Sequence, residues 1–298
     1  MVQAFVSQND TASRGFMIHN IPAMEKACLH VVATPIGNLE DISLRALDVL
    51  AKADVVAAED TRRSRQLLSR HGIDRSLVAL HEHNEEKQAP QLVNRMLNGE
   101  SVALVSDAGT PLLSDPGYRL VCLAAENGIE VVAVPGPSAI TAALSVSGLP
   151  TDRFAFEGFL PAKAAGRLKR LGALQGETRT LVFFESSHRI EACLADLVQA
   201  FGEDRRAAVC RELTKQFETV LRGSLAEIRE QVEDDANQRK GEFVVVVAGG
   251  EAQEGGMAQA MELASMLKEH VGASQAARIA ARIHGVSRRD VYPSKSDN

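Results

Sequence analysis

The residues best suited to chemistry fall in short clusters, each directly after an apolar run. Val102 to Val105 reads as a buried strand, and it leads into Ser106-Asp107-Ala108-Gly109-Thr110-Pro111 and on to Ser114-Asp115-Pro116-Gly117. Gly109 has no Cβ, so its backbone can come close to a ligand. Pro111 removes a donor and fixes the local angle. Asp107 and Thr110 supply an acceptor and a hydroxyl beside free backbone groups. Two more loops have the same character: Thr34-Pro35-Ile36-Gly37-Asn38 and Pro135-Gly136-Pro137-Ser138. Together they predict a pocket lined by main chain, suited to an adenosine-like or amino-acid-like ligand rather than a triphosphate. A set of plain strand-to-helix turns would account for the same residues without any ligand.

Charged groups sit at the same strand ends: Glu59, Asp60, Arg62, Glu185, Arg189, Arg211 and Lys215. Several common chemistries lack their signatures. There is no G-x-G-x-x-G dinucleotide fingerprint and no Walker A loop. No G-x-S-x-G elbow anchors a hydrolase triad. His81 and His83 could pair on a metal, but no third ligand stands at a standard spacing. No metal is expected.

Composition narrows the classes further. The chain has 298 residues, 45% of them hydrophobic, enough for one large or two ordinary domains with real cores. A formal net charge of −6 argues against a uniformly basic nucleic-acid surface. Aromatics are 4% with no Trp, which argues against a stacking platform for single-stranded bases. Cys28, Cys122, Cys193 and Cys210 form no metal or redox pairing and read as small apolar residues in a reducing compartment. No secretory signal and no bilayer-spanning stretch is apparent, so a cytoplasmic protein without membrane contact is expected.

The elements that must position these groups follow from periodicity. Residues 1–27 are mixed and polar and read as a mobile arm. Residues 28–149 alternate strand and helix about five times. The strands are short and continuously apolar: Leu29–Ala33, Asp54–Ala58, Leu77–Leu80, Val102–Val105 and Glu130–Val134. That pattern predicts a mostly parallel sheet covered on both faces, with all five polar loops on one edge. Asp41 or Ser43 can cap one helix and Asp60 or Thr61 the next. Beyond Gly148-Leu149-Pro150 the pattern changes. Over residues 150–249, strands are expected at Phe154–Phe156, Thr180–Phe184, Ala207–Cys210, Glu218–Leu221 and Phe243–Val247. Two of these follow each other without a helix, which predicts a mixed sheet. Residues 250–256 read as a linker. The tail to residue 298 carries an apolar face of Ala276, Ile279, Ala280 and Ile283, with Arg278 and Arg282 opposite, then a turn and a helix opened by Arg288-Arg289. This outlines a helix-turn-helix, or else a solvated helical pair. From Met257 it holds six Lys/Arg against four Asp/Glu in an otherwise acidic chain.

Six motifs, in this order, carry a family resemblance. They are Thr34-Pro35-Ile36-Gly37-Asn38-Leu39, Ala58-Glu59-Asp60-Thr61-Arg62, Ser106 to Pro111, Pro135 to Ser138, Glu157-Gly158-Phe159-Leu160-Pro161 and Arg211-Glu212-Leu213-Thr214-Lys215. The chain resembles the bacterial ribosomal RNA small subunit methyltransferase I family, of the tetrapyrrole methylase-like superfamily. Ser187 departs from the family's usual Pro after Glu-Ser, and Ser64-Arg65 from its usual His-Thr. The resemblance implies two α/β domains with S-adenosyl-L-methionine in the cleft between them. It also implies a homodimer, and 2′-O-methylation of a cytidine ribose in the decoding region of 16S ribosomal RNA within the 30S subunit. Asp107 to Pro111 and Pro35 to Gly37 would then cradle the cofactor, Pro135 to Ser138 would close one side, and Phe184, Glu185 and Leu213 would approach from the second domain. Glu59, Asp60 and Arg62 would face the substrate. Glu185, Asp60 and Lys215 are the candidate bases for the hydroxyl, and Lys215 is alternatively a phosphate contact. Arg278, Arg282, Arg288 and Arg289 would contact RNA phosphates. Two other readings stay open, a tetrapyrrole-type small-molecule methylase and a non-enzymatic nucleic-acid-binding protein.

Overall fold

The computed structural model describes residues 27–250 and 255–291. The expected arm, but for residue 27, and most of the expected linker lie outside them. The first half runs β1 (Cys28–Val32), α1 (Leu44–Lys52), β2 (Val55–Ala58), α2 (Thr61–Arg70), β3 (Ser76–Ala79), α3 (Glu85–Leu97), β4 (Val102–Val105), α4 (Tyr118–Glu126), β5 (Glu130–Val134) and α5 (Ala139–Ser147). Every pairing in its sheet is parallel, in the order β3-β2-β4-β1-β5. Sequence explains the burial. Val-Val-Ala-Ala of β2 and Val-Ala-Leu-Val of β4 are buried at every residue, because helices cover both faces. Side chains fix two helix starts. Ser43 Oγ accepts from Ala46 N–H at 3.1 Å, and the Asp60 carboxylate accepts from Arg62 N–H at 2.8 Å.

The second half runs β6 (Phe154–Phe159), α6 (Ala164–Ala173), β7 (Thr180–Ser186), α7 (Ile190–Phe201), β8 (Arg206–Arg211), β9 (Thr219–Ser224), α8 (Leu225–Asp234) and β10 (Glu242–Val247). Its order is β6-β7-β10-β8-β9. Only β6 and β7 pair in parallel, so this sheet is mixed, as the consecutive strands predict. Ser224 and Glu227 form a reciprocal capping box at the start of α8, the Ser-x-x-Glu signature. The face of the sheet carrying Leu181, Phe183 and Val245 packs on α6, α7 and α8. The other face carries Val182, Cys210 and Val244 and packs on Ile140, Ala143 and Leu144 of α5. α5 therefore follows the first sheet in sequence but buries its apolar face on the second. It is the joint that fixes one sheet against the other.

The tail forms α9 (Gly255–Val271), α10 (Ala273–His284) and α11 (Arg288–Val291). Its core residues pack on one another: Ala260, Ala277, Ala280, Ala281 and Val291. Sequence periodicity misplaces one residue of this face. Ile283 is exposed, and Ala277 and Ala281 join Ala276 and Ala280 inside. Small side chains let α9 and α10 approach closely, and the bulkier Ile283 lies further round the helix, outside the contact.

Candidate active site

In the first sheet β1 and β4 are neighbours, and their chains leave in opposite directions, β1 toward β2 and β4 toward β5. Ligands bind at such a switch point, outside the carboxyl ends of the strands. The loops after β1 and β4 are joined there. Thr34 N–H donates to Gly109 O at 2.9 Å, and Gly109 N–H returns a bond to Thr34 O at 2.9 Å. The Thr34 hydroxyl donates to Ser106 O at 3.1 Å, and the Thr110 hydroxyl to Pro137 O at 3.1 Å. Gly109 has φ +85°, and a Cβ there would meet Ile36 Cγ2 at 3.3 Å. All three loops found by their Gly and Pro content are thus tied into one wall.

The second sheet supplies the opposite wall from the ends of β7 and β8 and the start of β10. Between the walls lies a crevice of about 530 Å³, within the usual range for a small-molecule site. Ile36, Asp107, Ala108, Gly109, Thr110, Ser138, Phe184 and Leu213 line it. Pro35, Gly37, Pro111, Pro135, Gly136 and Pro137 do not border it; they shape the loops behind. Gly136, for example, packs on Ala33, and a Cβ there would lie 3.1 Å from the Ala33 Cβ.

Strain is concentrated at this place. Among the described residues, the non-glycine residues with positive φ are Leu112 and Ser114 after β4, and Glu212 and Thr214 after β8. Side chains adopt that region at a cost, and such residues gather where a site over-determines the backbone.

The fold around this crevice is shared with known proteins. The family described as tetrapyrrole (corrin/porphyrin) methylases matches residues 28–229, and the RsmI C-terminal HTH domain matches residues 254–293. A Xylella fastidiosa protein named "Ribosomal RNA small subunit methyltransferase I" is 56% identical over 89% of this chain and 97% of its own. Proteins of the same name from Pseudomonas aeruginosa and Escherichia coli O157:H7 are 52% and 49% identical, over 90% and 89% of this chain and 96% and 93% of theirs. The chain belongs to the ribosomal RNA small subunit methyltransferase I family. Solved structures agree on the fold. A uroporphyrin-III-C-methyltransferase from Thermus thermophilus has a TM-score of 0.54 at 22% identity, covering 75% of this chain and 94% of that one. A diphthine synthase has 0.57 at 19%, covering 74% and 90%.

Within this methyltransferase I fold, the three candidate bases sit in very different surroundings. Asp60 caps α2, and both its oxygens accept from the Arg62 guanidinium, at 3.1 and 2.9 Å. Those bonds hold its carboxyl down to about 2, which makes it a weak proton acceptor. Neither Asp60 nor the exposed Arg62 borders the crevice. Lys215 does border it, but its ammonium is paired with Glu212 at 2.8 Å and Glu242 at 2.7 Å. Burial pulls its pKa down, the two carboxylates outweigh that, and the net shift is upward. Lys215 is a fixed cation. Glu185, next to last in β7, lies on the same side as Leu181 and Phe183, opposite Phe184. Its Oε1 accepts from Ser186 N–H at 2.8 Å and faces Arg189 Nε at 3.2 Å. Its carboxylate reaches the Cys193 thiol on α7, which burial first and then Glu185 push up to about 12. Glu185 touches the crevice at the strand end while its charge lies in the helix layer.

Sequence spacing sets Asp115 within the central loop and gives it no role of its own. In the fold it borders the crevice with Glu59 and Asp107. Burial, then the Glu59 charge, raise its carboxyl to about 6, although the Ser106 hydroxyl pulls it down. Burial and the Asp107 charge raise Glu59 as well. Asp107 itself is engaged, accepting from Asp60 N–H at 2.9 Å and pairing with Arg63 at 3.2 Å. The local signal is three acidic residues at adjacent parallel-strand ends. It is visible only once β2 and β4 are known to be neighbours.

Proposed function

We propose that the crevice binds S-adenosylmethionine and that the chain methylates the 2′-hydroxyl of a cytidine ribose in 16S ribosomal RNA of the 30S subunit. One observation carries this reading. Relatives named for ribosomal RNA small subunit methylation are 49% to 56% identical over nearly their whole length. The residues present fit the donor. Gly109 leaves a cradle that a Cβ would crowd against Ile36. Ile36, Phe184 and Leu213 offer apolar surface for a purine, and Asp107, Thr110 and Ser138 offer polar groups for ribose and amino-acid ends. When bound, the donor supplies a methyl group already activated on a sulfonium, so the chain's task is largely positioning. Holding a near-attack geometry is worth roughly 7–11 kcal/mol.

The hydroxyl needs a proton acceptor, which contributes about 10²–10⁴-fold. Asp115 borders the crevice and its carboxyl is raised to about 6, toward the pH at which a general base works best. Glu59 lies beside it and keeps its affinity for a proton high. Lys215, held by Glu212 and Glu242, and Arg63, paired with Asp107, are the cations that border the crevice, where a phosphate of the RNA would have to share them with those carboxylates. Arg278, Arg282, Arg288 and Arg289 are exposed on α10 and α11, where they serve phosphate contacts from the tail. We take the working form to be a cytoplasmic homodimer, as the family resemblance implies, and sedimentation of the purified protein tests the dimer.

The decisive experiment is tritiated methyl transfer to 30S subunits lacking this modification, run beside a porphyrin acceptor. Label in 16S RNA at a ribose upholds the reading. Label in the porphyrin alone replaces it with the small-molecule one, and label in neither rejects it.

A further inference from the structure

The crevice is bordered by two exposed apolar side chains. Phe159, at the end of β6, is 55% exposed, and Leu113, in the loop after β4, is 39% exposed. Both border the crevice, from opposite walls.

Each is placed by a local irregularity. β6 pairs with β7 through Phe156↔Val182, then Gly158↔Phe183 and Phe159↔Phe184, so Glu157 is an extra residue without a partner. Without that bulge Phe159 would alternate to the face opposite Phe156. With it, Phe156 and Phe159 share the face of Phe184. The ring geometry agrees: Phe184 lies edge-on to Phe156 at 4.8 Å and to Phe159 at 5.6 Å. Bulges re-aim side chains in this way. Gly158 takes φ +65° to make the turn, and Glu157 is tied back to α6 by Arg170 Nε at 3.1 Å. Across the mouth, Leu112 and Ser114 hold φ of +73° and +72° on either side of Leu113. Their strain turns Leu113 outward. The walls meet where a Cβ on Gly158 would lie 3.3 Å from Ser114 Oγ.

We infer that Phe159 and Leu113 form a clamp that holds the base of the target nucleotide while its ribose enters the crevice. The inference rests on the proposed RNA methylation. Helical RNA displays its 2′-hydroxyls along a shallow minor groove, but a ribose that enters a concave crevice leaves its base free to be splayed out and stacked on an exposed ring. One ring serves one base. The scarcity of aromatics speaks against a run of stacked bases and leaves this single contact open. Phe184 lines the same crevice and is the more buried of the two rings, which leaves Phe159 the one open to the RNA.

The test uses the full-length protein with 30S subunits lacking the modification, comparing wild type with Phe159→Ala, Phe159→Tyr and Leu113→Ala. Phe159→Ala should raise KM for the subunit roughly 5- to 100-fold, the size of one base–aromatic stack. Its kcat and its Kd for S-adenosylmethionine should change by much smaller factors, and its Tm should drop only by the loss of the edge contact with Phe184. Phe159→Tyr should restore KM, and Leu113→Ala should raise it by a smaller factor. An unchanged KM in Phe159→Ala, or lost cofactor affinity in its place, overturns the clamp. If wild type itself transfers no methyl to the subunit, the reading beneath it has failed instead.

Discussion

Gly37 and Lys215 belong to opposite walls of the crevice and touch so closely that no side chain fits between them. A Cβ on Gly37 would lie 2.5 Å from Lys215 Cγ, 2.7 Å from Thr214 Oγ1 and 3.0 Å from Leu213 O. Lys215 is not free to swing away, because Glu212 and Glu242 hold its ammonium. Asn38 N–H adds a bond to Thr214 Oγ1 at 3.0 Å. Gly37→Ala must therefore push the loop after β1 away from the loop after β8. The expected cost is about 1–3 kcal/mol of stability, as for overpacking, together with weaker S-adenosylmethionine binding. Calorimetric titration of the variant checks this. Wild-type affinity would show that cofactor binding does not depend on how closely the two loops approach.

Glu185 separates structural from chemical roles. Its charge sits among Arg189 and Cys193 behind β7, so Glu185→Gln should cost about 1–3 kcal/mol through a weakened buried pair. The folded variant should keep its single-turnover methyl-transfer rate at saturating cofactor. A rate loss of 100-fold with an unchanged Tm would make Glu185 a base after all.

The contrast between Glu185 and Phe184 marks how far the sequence could be read. Apolar runs, Gly and Pro loops and capping residues reveal the strands, the parallel and mixed sheets and the loops of the first wall. Those signals are local. Whether β2 and β4 are neighbours is not local, and that adjacency brings Glu59 beside Asp115. Which face a residue takes at the end of a strand depends on register. Strict alternation puts Phe184 toward the crevice and Glu185 away from it, whereas the bulge at Glu157 breaks the alternation for Phe159. Nothing in Phe-Glu-Gly-Phe marks that bulge except the glycine.

Asp115 makes a prediction in which stability and activity move oppositely. Its carboxyl is raised from 3.8 to about 6, so folding favours the protonated form. The associated stability is complete below its ordinary pKa and is lost as pH rises through about 6. The displacement corresponds to roughly 3 kcal/mol, which partial exposure screens to about 1–2. Asp115→Asn should therefore raise Tm at pH 8 and leave it little changed at pH 4. Methyl transfer, which needs the ionised carboxylate, should rise with pH through about 6 in the wild type. It should fall by about 10²–10⁴-fold in the variant. A variant that is both stabilised and fully active would remove Asp115 from the chemistry.

The tail arginines should act through charge alone. Arg278, Arg282, Arg288 and Arg289 are exposed, and phosphate contacts carry no sequence information. Arg288 also donates to Ser274 Oγ at 2.8 Å, linking the start of α11 to the first turn of α10. Replacing Arg278 and Arg282 with Ala should leave Tm and cofactor affinity unchanged, because neither side chain belongs to the packed face of α10. Binding of the 30S subunit should weaken, and the slope of log K against log salt should shrink by about 0.7–0.9 for each phosphate that the variant no longer neutralises. Filter binding over a series of salt concentrations measures both quantities. A weakened affinity with an unaltered slope would mean the arginines position the tail by shape, and that its charge does not reach the RNA backbone.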